Sequence, residues 1–209
     1  QRPYGIIADP SDTPKAVFVS TFDSAPLAPD YNFVLKAEQK NLQTGIDVMR
    51  KLTPGKVHLS VRAKAEGQMP SLKGAELHAF AGKHPVGNVG VQIHHVDPVN
   101  KGEVVWTVNI QDLAIIGRLL NEGRVDRTKV IAVAGSEVKN PQYYRLIDGA
   151  PVASVLKDNL KMPAASSQNT ACSTPEADRV SRSSLRAVSS MVCFAGTSTT
   201  RFLTPSAVA

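Results

Sequence analysis

Short apolar runs alternate with longer segments of helical period along the first 135 residues of this chain, and this alternation limits its possible folds strongly. Runs of five to eight residues that are rich in Val, Ile and other strand formers indicate β-strands. Strands that alternate with helices predict an α/β fold, here a Rossmann-like, mainly parallel sheet with flanking helices. The predicted strands are residues 16–20, 56–61, 75–80, 103–108 and 128–135.

The segment between the first two strands predicts one long helix that begins after Asp30, a suitable N-cap, and ends at about residue 52. Leu35, Ile46 and Met49 recur on one face at helical spacing, so we expect this face to be buried. The Thr-Pro-Gly sequence at 53–55 stops the helix. The strand, helix and strand together form a βαβ unit.

Composition excludes several classes of function. The formal net charge of +6 is modest, and without a dense Lys/Arg cluster or many aromatic residues it argues against nucleic-acid binding. The apolar runs are too short for a transmembrane helix. Both cysteines, Cys172 and Cys193, lie near the end of the chain, so thiolate-bound zinc, iron–sulfur clusters and disulfides are not expected before them. This cysteine usage indicates a reducing compartment.

The stretch from residue 80 to residue 120 concentrates the chemistry-bearing residues. It holds His84, His94 and His95, three of the five histidines, together with the only tryptophan, Trp106. A Gly-rich turn at residues 82–88 connects a predicted strand to a short helix, and ligands of α/β proteins gather at such places. This stretch is therefore the first place to look for a functional site.

Two interpretations of the turn remain open. His84-Pro85 followed by Gly87 and Gly90 permits close backbone approach, so the helix N-terminus could hold an anion or a polar headgroup. Structural tightness explains the same glycines equally well. The sequence VGNVGV at 86–91 is not a G-x-G-x-x-G motif and there is no Walker loop, so a bound dinucleotide is not expected.

The end of the short helix carries His94, His95 and Asp97. Adjacent histidines diverge on a helix and cannot share a metal, so we expect no metal site here. Pro98 predicts that the helix stops at Asp97. We expect one histidine to hydrogen-bond to the strand that carries Trp106, with Asp97 fixing the tautomer of a ring.

Several long motifs resemble one known family. HPVGNVGVQIHHVDPV at 84–99 and VVWTVNIQDLAIIGRLL at 104–120 are similar to the central part of the A subunit of the sodium-translocating NADH:quinone reductase. The resemblance extends back to PYGIIADPSDTPKAVFVSTFDSAPLAPD at 3–30 and forward to about residue 160. Gln1 is not a natural start, and the family implies a fragment that a biotinyl-carrier-like domain would precede.

The resemblance implies a role in a respiratory enzyme that oxidises NADH, reduces quinone and exports sodium. It implies a peripheral subunit on the cytoplasmic face of the bacterial inner membrane, with the other subunits as partners. NADH, flavins and iron–sulfur chemistry would reside on those subunits, and this chain would bind no cofactor and supply no catalytic residue. A candidate quinone or partner site comprises His84, Pro85, Gly87, Gly90, His94, His95 and Asp97.

Two alternatives to a quinone role remain. The chain could be a structural subunit that docks the soluble side of the complex. It could also be a relative of the complex I flavin subunit that has lost nucleotide binding, because the sequence lacks both the Gly-rich loops and the four cluster cysteines of that flavoprotein.

The resemblance also predicts the domain organisation. Residues 1–133 would form the Rossmann-like domain, and residues 134–161 the start of a β-grasp module that binds soluble ligands. The tail at 162–209 is rich in Ser and Thr, shows no clear strand or helix period, and is expected to be disordered, a linker or, preferably, the product of a reading-frame shift.

Overall fold

A computed structural model describes residues 8–63, 72–135, 138–151, 155–156, 158–160 and 191–194. These residues belong to two compact units, which meet in sequence between Asp126 and Arg127. Each unit has its own sheet and its own hydrophobic core. The remaining residues of the predicted tail, and with them the frameshift hypothesis, lie outside the described residues.

The first unit contains a four-stranded sheet in which every neighbouring pair is parallel. The strand order is β3-β2-β1-β4, so the chain passes from the centre to one edge and then crosses to the other. This order confirms the α/β fold and places a topological switch point between β1 and β4. The elements are β1 (Ala16–Ser20), α1 (Tyr31–Val34), α2 (Gln39–Leu52), β2 (Lys56–Arg62), β3 (Glu76–Phe80), α3 (Val89–Val96), β4 (Val105–Asn109) and α4 (Ile110–Glu122).

The prediction of one long helix from Asp30 is wrong, because the chain forms α1 and α2 with a turn between them. Asp30 does cap α1, since its carboxylate accepts the backbone N–H of Asn32 at 2.9 Å. The second helix starts after Glu38, whose carboxylate accepts the side-chain N–H of Asn41 at 2.6 Å and faces Arg118 of α4 at 3.9 Å. The contact with Arg118 is tertiary, and it favours a new helix start that local propensity did not reveal.

The main core lies between the sheet and the pair α2 and α4. The predicted burial of Leu35, Ile46 and Met49 is confirmed, because each is at most 4% exposed. The two helices pack closely at glycines: a Cβ atom on Gly117 would lie 1.8 Å from the carbonyl oxygen of Asn41. Only a residue without a side chain fits there.

Helix α3 covers part of the opposite face of the sheet. Ile93 packs with Ala16 and Phe18 of β1 in a smaller core, and the half-buried Val89, Val96 and Val105 extend it. Since α3 connects the end of β3 to the start of β4, its first residues lie at the carboxyl edge of the parallel strands and its last residues at the amino edge.

The second unit corrects the prediction for residues 128–135. This segment forms β5 (Thr128–Gly135), but β5 pairs antiparallel with β6 (Gln142–Ile147) and does not join the parallel sheet. An apolar run specifies burial and not the identity of the sheet that provides it. Here Ile131 and Val133 are buried against Val138 and Val155.

The tail also contributes a strand that the sequence did not predict. Residues Met191–Phe194 form β7, which pairs parallel with β5 at its end, from Ala132 to Gly135. A four-residue segment is too short to show a clear period against a Ser- and Thr-rich background, so only its pairing reveals it.

Candidate functional site

The Gly-rich turn before α3 is fastened to the loop that follows β1. The Oγ atom of Ser24 lies 3.0 Å from Nδ1 of His84 and accepts the backbone N–H of Gly87 at 2.8 Å. The Ser24 loop is itself closed by Asp23, whose carboxylate accepts the N–H of Ala25 at 2.8 Å. His84 is exposed, and the His84–Pro85 peptide bond is cis. The turn thus presents an imidazole at the carboxyl edge of the sheet.

Close backbone approach, which was predicted for both glycines, occurs at Gly87 only. A Cβ atom on Gly87 would lie 2.4 Å from the backbone nitrogen of Ser24, so the approaching group is the chain's own loop. A Cβ atom on Gly90 would meet nothing within 4 Å among the described residues. Close packing against the Ser24 loop therefore explains the glycine at position 87. Neither this packing nor the binding of an anion requires a glycine at position 90.

A buried glutamine, which was not predicted from the sequence, connects the turn to the end of β1 by hydrogen bonds. Gln92 is 0% exposed, and its Nε2 donates to Oγ of Ser20 at 3.1 Å and to the carbonyl oxygen of Val86 at 3.2 Å. Its Oε1 is buried without a partner among the residues that the structure describes. A polar residue beside Ile93, on the apolar side of a short helix, was the available signal.

The predicted hydrogen bond from His94 or His95 to the strand that carries Trp106 is wrong. Both side chains are exposed in the last turn of α3, and their ring centroids lie 5.5 Å apart. Within the described part of the chain, neither ring hydrogen-bonds to β4, and the buried Nε1 of Trp106 has no partner. Gln92 and Ile93 take the inward positions of the helix, which turns the next two residues outward.

Asp97 ends α3 as Pro98 predicted, but its carboxylate does not orient a histidine. It lies 2.6 Å from Nζ of Lys15, and the same ammonium lies 3.1 Å from Glu103. Hydrogen bonds to Asp97 and then to Glu103 raise the pKa of Lys15. This ion cluster, Lys15–Asp97–Glu103, ties the end of α3 and the start of β4 to the start of β1.

The candidate residues therefore do not form one site. His84, Pro85 and Gly87 precede α3 at the carboxyl edge of the sheet, whereas Asp97 follows α3 at the amino edge. A helix of eight residues separates the two groups by ~12 Å. The turn at 82–88 and its support by Ser24 remain as the candidate functional site.

A second group of polar residues, missed from the sequence, lies across β2 and β3. His58 is directly opposite Glu76 in the parallel register, and its Nδ1 is 2.9 Å from Nε2 of His78 and 3.7 Å from Oε2 of Glu76. Burial, and then the neighbouring His78, lower the pKa of His58. The available signal was the Glu-x-His spacing on one strand, which puts both side chains on one face.

Comparison with known proteins places both units in one family. Residues 1–125 match the family model described as the NqrA second alpha/beta domain. Residues 130–164 match the model described as the NQRA C-terminal domain. The two matches follow each other in the chain, and the interval between them contains the boundary of the compact units.

The chain is also similar to curated proteins of this family. It is 38% identical over 162 residues to the A subunit of the Na(+)-translocating NADH-quinone reductase of Alcanivorax borkumensis, covering 77% of this chain and 36% of that protein. It is 36% identical over 159 residues to the same subunit from Neisseria meningitidis serogroup B, covering 76% and 36%. This chain thus spans about 36% of the length of these relatives.

Among solved structures, Rv0371c from Mycobacterium tuberculosis H37Rv matches with a TM-score of 0.28 and 16% identity, over 64% of this chain and 71% of that chain. A likeness of this size carries no argument about fold or function. The family models and the curated relatives agree with each other, and the first model alone covers more than half of the chain. The chain therefore belongs to the NqrA family, that of the A subunit of the Na(+)-translocating NADH-quinone reductase.

Proposed function

We propose that this chain is part of a peripheral subunit of the sodium-translocating NADH:quinone reductase and contributes to the quinone-reduction side of the complex. Family membership supports the assignment to the complex. The observation that carries the finer proposal is the fastening of the turn at 82–88 to Ser24, which presents the exposed His84 at the carboxyl edge of a parallel sheet.

This edge is where open α/β sheets bind ligands. The strand order β3-β2-β1-β4 puts the switch point beside the end of β1, and Ser24 lies in the loop that leaves that end. The imidazole of His84, held by the hydroxyl of Ser24, can donate a hydrogen bond to a quinone carbonyl or accept one from a quinol hydroxyl. The proposed role of His84 is to orient that oxygen.

The local backbone supports a subunit that binds neither NADH nor flavin. In dinucleotide-binding sheets the glycine loop follows the first strand, whereas the loop after β1, residues 21–30, contains no glycine. The glycines follow β3. The backbone N–H of Gly87 donates to Ser24 and is therefore not available to bind a phosphate group. We therefore expect electrons to reach quinone from cofactors on other subunits.

The proposed partners are the other subunits of the complex, and the proposed location is the cytoplasmic face of the bacterial inner membrane. Among the described residues, no helix is both long enough and apolar enough to cross a bilayer. The second unit, with β5 and β6 as an antiparallel pair, is proposed to be the start of a β-grasp module that docks the subunit.

The test uses the assembled complex that contains this chain. A photoreactive quinone analogue should label residues 82–88, and His84→Ala should raise the KM for quinone without loss of assembly. The matched control is His95→Ala, which removes an exposed histidine from the far end of α3. Labelling elsewhere, together with an unchanged KM in His84→Ala, would exclude the quinone role.

The two alternatives give different results in the same experiment. If the chain only docks the complex, variants of the turn lose activity in proportion to lost assembly, and the KM for quinone stays constant. The second alternative is a relative of the complex I flavin subunit that has lost nucleotide binding, and saturable binding of NADH or FMN to the chain would contradict both that alternative and the proposal. We expect no such binding.

A further inference from the structure

We propose that His58, Glu76 and His78 bind a divalent transition-metal ion, with Zn²⁺ as the best fit, between strands β2 and β3. The three residues each offer one ligand atom, and these atoms all lie within 4.8 Å of one another. The inference concerns a different part of the sheet from the turn at 82–88 and does not depend on the proposed function.

The sheet register sets the positions of the three side chains. His58 and Glu76 are Cα partners on adjacent parallel strands, and Ser60 and His78 are the next pair on the same face. Side chains at alternate positions of one strand point to the same side, so Glu76 and His78 both lie beside His58. Ligands carried by paired strands are held by backbone hydrogen bonds, which favours a preformed arrangement.

The distances suit a small ion after modest side-chain rotation. Ligand atoms at tetrahedral positions around Zn²⁺ are ~3.3 Å apart, given zinc–ligand bonds of about 2.0–2.2 Å. Nδ1 of His58 is 2.9 Å from Nε2 of His78 and 3.7 Å from Oε2 of Glu76, values on either side of that spacing. Two imidazole nitrogens that face each other share one proton when no ion lies between them, and an ion satisfies both lone pairs.

Lys56 is the main opposing charge, and the geometry accommodates it. Its Nζ lies 2.5 Å from Oε1 of Glu76, whereas Oε2 is the oxygen that faces His58. The carboxylate can therefore ligate through Oε2 and keep its bond to Lys56 through Oε1, as hydrogen-bonded carboxylate ligands do. The nearby ammonium lowers affinity, so we expect moderate rather than extreme binding strength.

Burial differs across the cluster in a way that suits an exchangeable ion. His58 is 5% exposed, and its ring stacks on Phe18 with centroids 4.6 Å apart, which fixes its orientation. Glu76 is exposed and His78 is half-buried, so an ion can enter from solvent and keep a water ligand. Two imidazoles and one carboxylate favour zinc and similar ions over Mg²⁺ or Ca²⁺, which prefer oxygen ligands.

The test is a Zn²⁺ titration of the full chain in a Cys172→Ser/Cys193→Ser background, so that thiols do not compete. Competition against a chromophoric chelator should show one site per chain, and Co²⁺ should give a tetrahedral absorption band. Glu76→Gln and His78→Gln should each weaken Zn²⁺ affinity by more than about 100-fold. Loss of a residue that only hydrogen-bonds to a metal ligand already lowers metal affinity by about 10–100-fold. Zn²⁺ should also raise the Tm of the parent chain and not of these variants.

His94→Gln in the same background is the matched control, because it removes an exposed histidine outside the cluster. It should bind Zn²⁺ as the parent does, and circular dichroism should show that all variants fold. Binding that persists in the double variant Glu76→Gln/His78→Gln would mean adventitious surface binding and would overturn the proposal. So would the lack of saturable one-to-one binding in the parent chain.

Discussion

Ser24 and His84 are separated by 60 positions in the chain, and yet Oγ of Ser24 lies 3.0 Å from Nδ1 of His84. The same hydroxyl oxygen accepts the N–H of Gly87 at 2.8 Å, so one side chain contacts two residues of the turn that presents the imidazole. This relationship joins the loop after β1 to the entry of α3. The stabilities of Ser24→Ala and Gly87→Ala both depend on it.

Ser24→Ala should destabilise the chain, because it removes two hydrogen bonds and leaves the N–H of Gly87 without its acceptor. A loss of about 1–3 kcal/mol in the free energy of unfolding is expected. Urea unfolding measures the difference between Ser24→Ala and Ser11→Ala, because the Ser11 hydroxyl donates locally to the carboxylate of Asp9. Equal losses in the two variants would contradict a fastening role for Ser24.

Gly87→Ala should lower the free energy of unfolding, whereas Gly90→Ala should leave it unchanged or raise it, although the chemical change is the same. The Cβ atom at Gly87 would lie 2.4 Å from the Ser24 nitrogen, so a loss of about 1–3 kcal/mol is expected. The Cβ atom at Gly90 would be free, and Ala at this helical position should be neutral or stabilising by up to about 1 kcal/mol. Thermal melts of both variants decide the matter, and a destabilised Gly90→Ala would indicate a packed neighbour there.

Gly117→Ala should weaken the packing of α2 against α4. Its Cβ atom would lie 1.8 Å from the carbonyl oxygen of Asn41, and a backbone atom cannot move aside as a flexible side chain can. We expect a loss of about 3 kcal/mol or more, at the upper end of overpacking costs. Gly90→Ala is again the matched control for denaturant midpoints, and similar stabilities of the two variants would refute the close helix contact.

The ion cluster at Lys15 predicts a pH dependence. The N–H of Asn100 and then the ammonium of Lys15 lower the pKa of Glu103 below its ordinary 4.5. A carboxyl whose folded pKa is depressed stabilises the fold above its unfolded pKa, and the contribution is lost as the pH falls through the folded pKa. Asp97 also faces this ammonium.

Glu103→Gln should therefore be less stable than the parent chain at pH 7, and the difference should shrink as the pH falls below 4.5. Urea midpoints for both chains between neutral and acid pH measure this convergence. A difference that stays constant over the whole range would show that the charge of Glu103 does not matter.

His94→Ala and His95→Ala should each change the free energy of unfolding by less than about 0.5 kcal/mol, as is usual for exposed side chains. Both rings lie outside the core at the end of α3. Chemical denaturation of the two variants checks this expectation. A loss above about 1 kcal/mol in either would instead support the cross-strand bond that the sequence predicted.

Local patterns in the sequence were sufficient for the α/β class, for the positions of the five strands that the structure describes before residue 136 and for the end of α3 before Pro98. Strand and helix periods, caps and proline stops act within a few residues, so they can be read without the fold. The burial of Leu35, Ile46 and Met49 follows from the same kind of pattern. The family resemblance likewise depends on contiguous motifs.

Only the tertiary structure decided which distant residues meet. In the tertiary structure β5 belongs to a second sheet, and His94 is exposed. Asp97 pairs with Lys15, and His58 lies beside Glu76 and His78. Each of these outcomes depends on strand order, register or helix rotation, which are set by packing over tens of residues. A residue's own neighbours in sequence carry no record of those partners, because the free energy that selects them arises from contacts across the whole core.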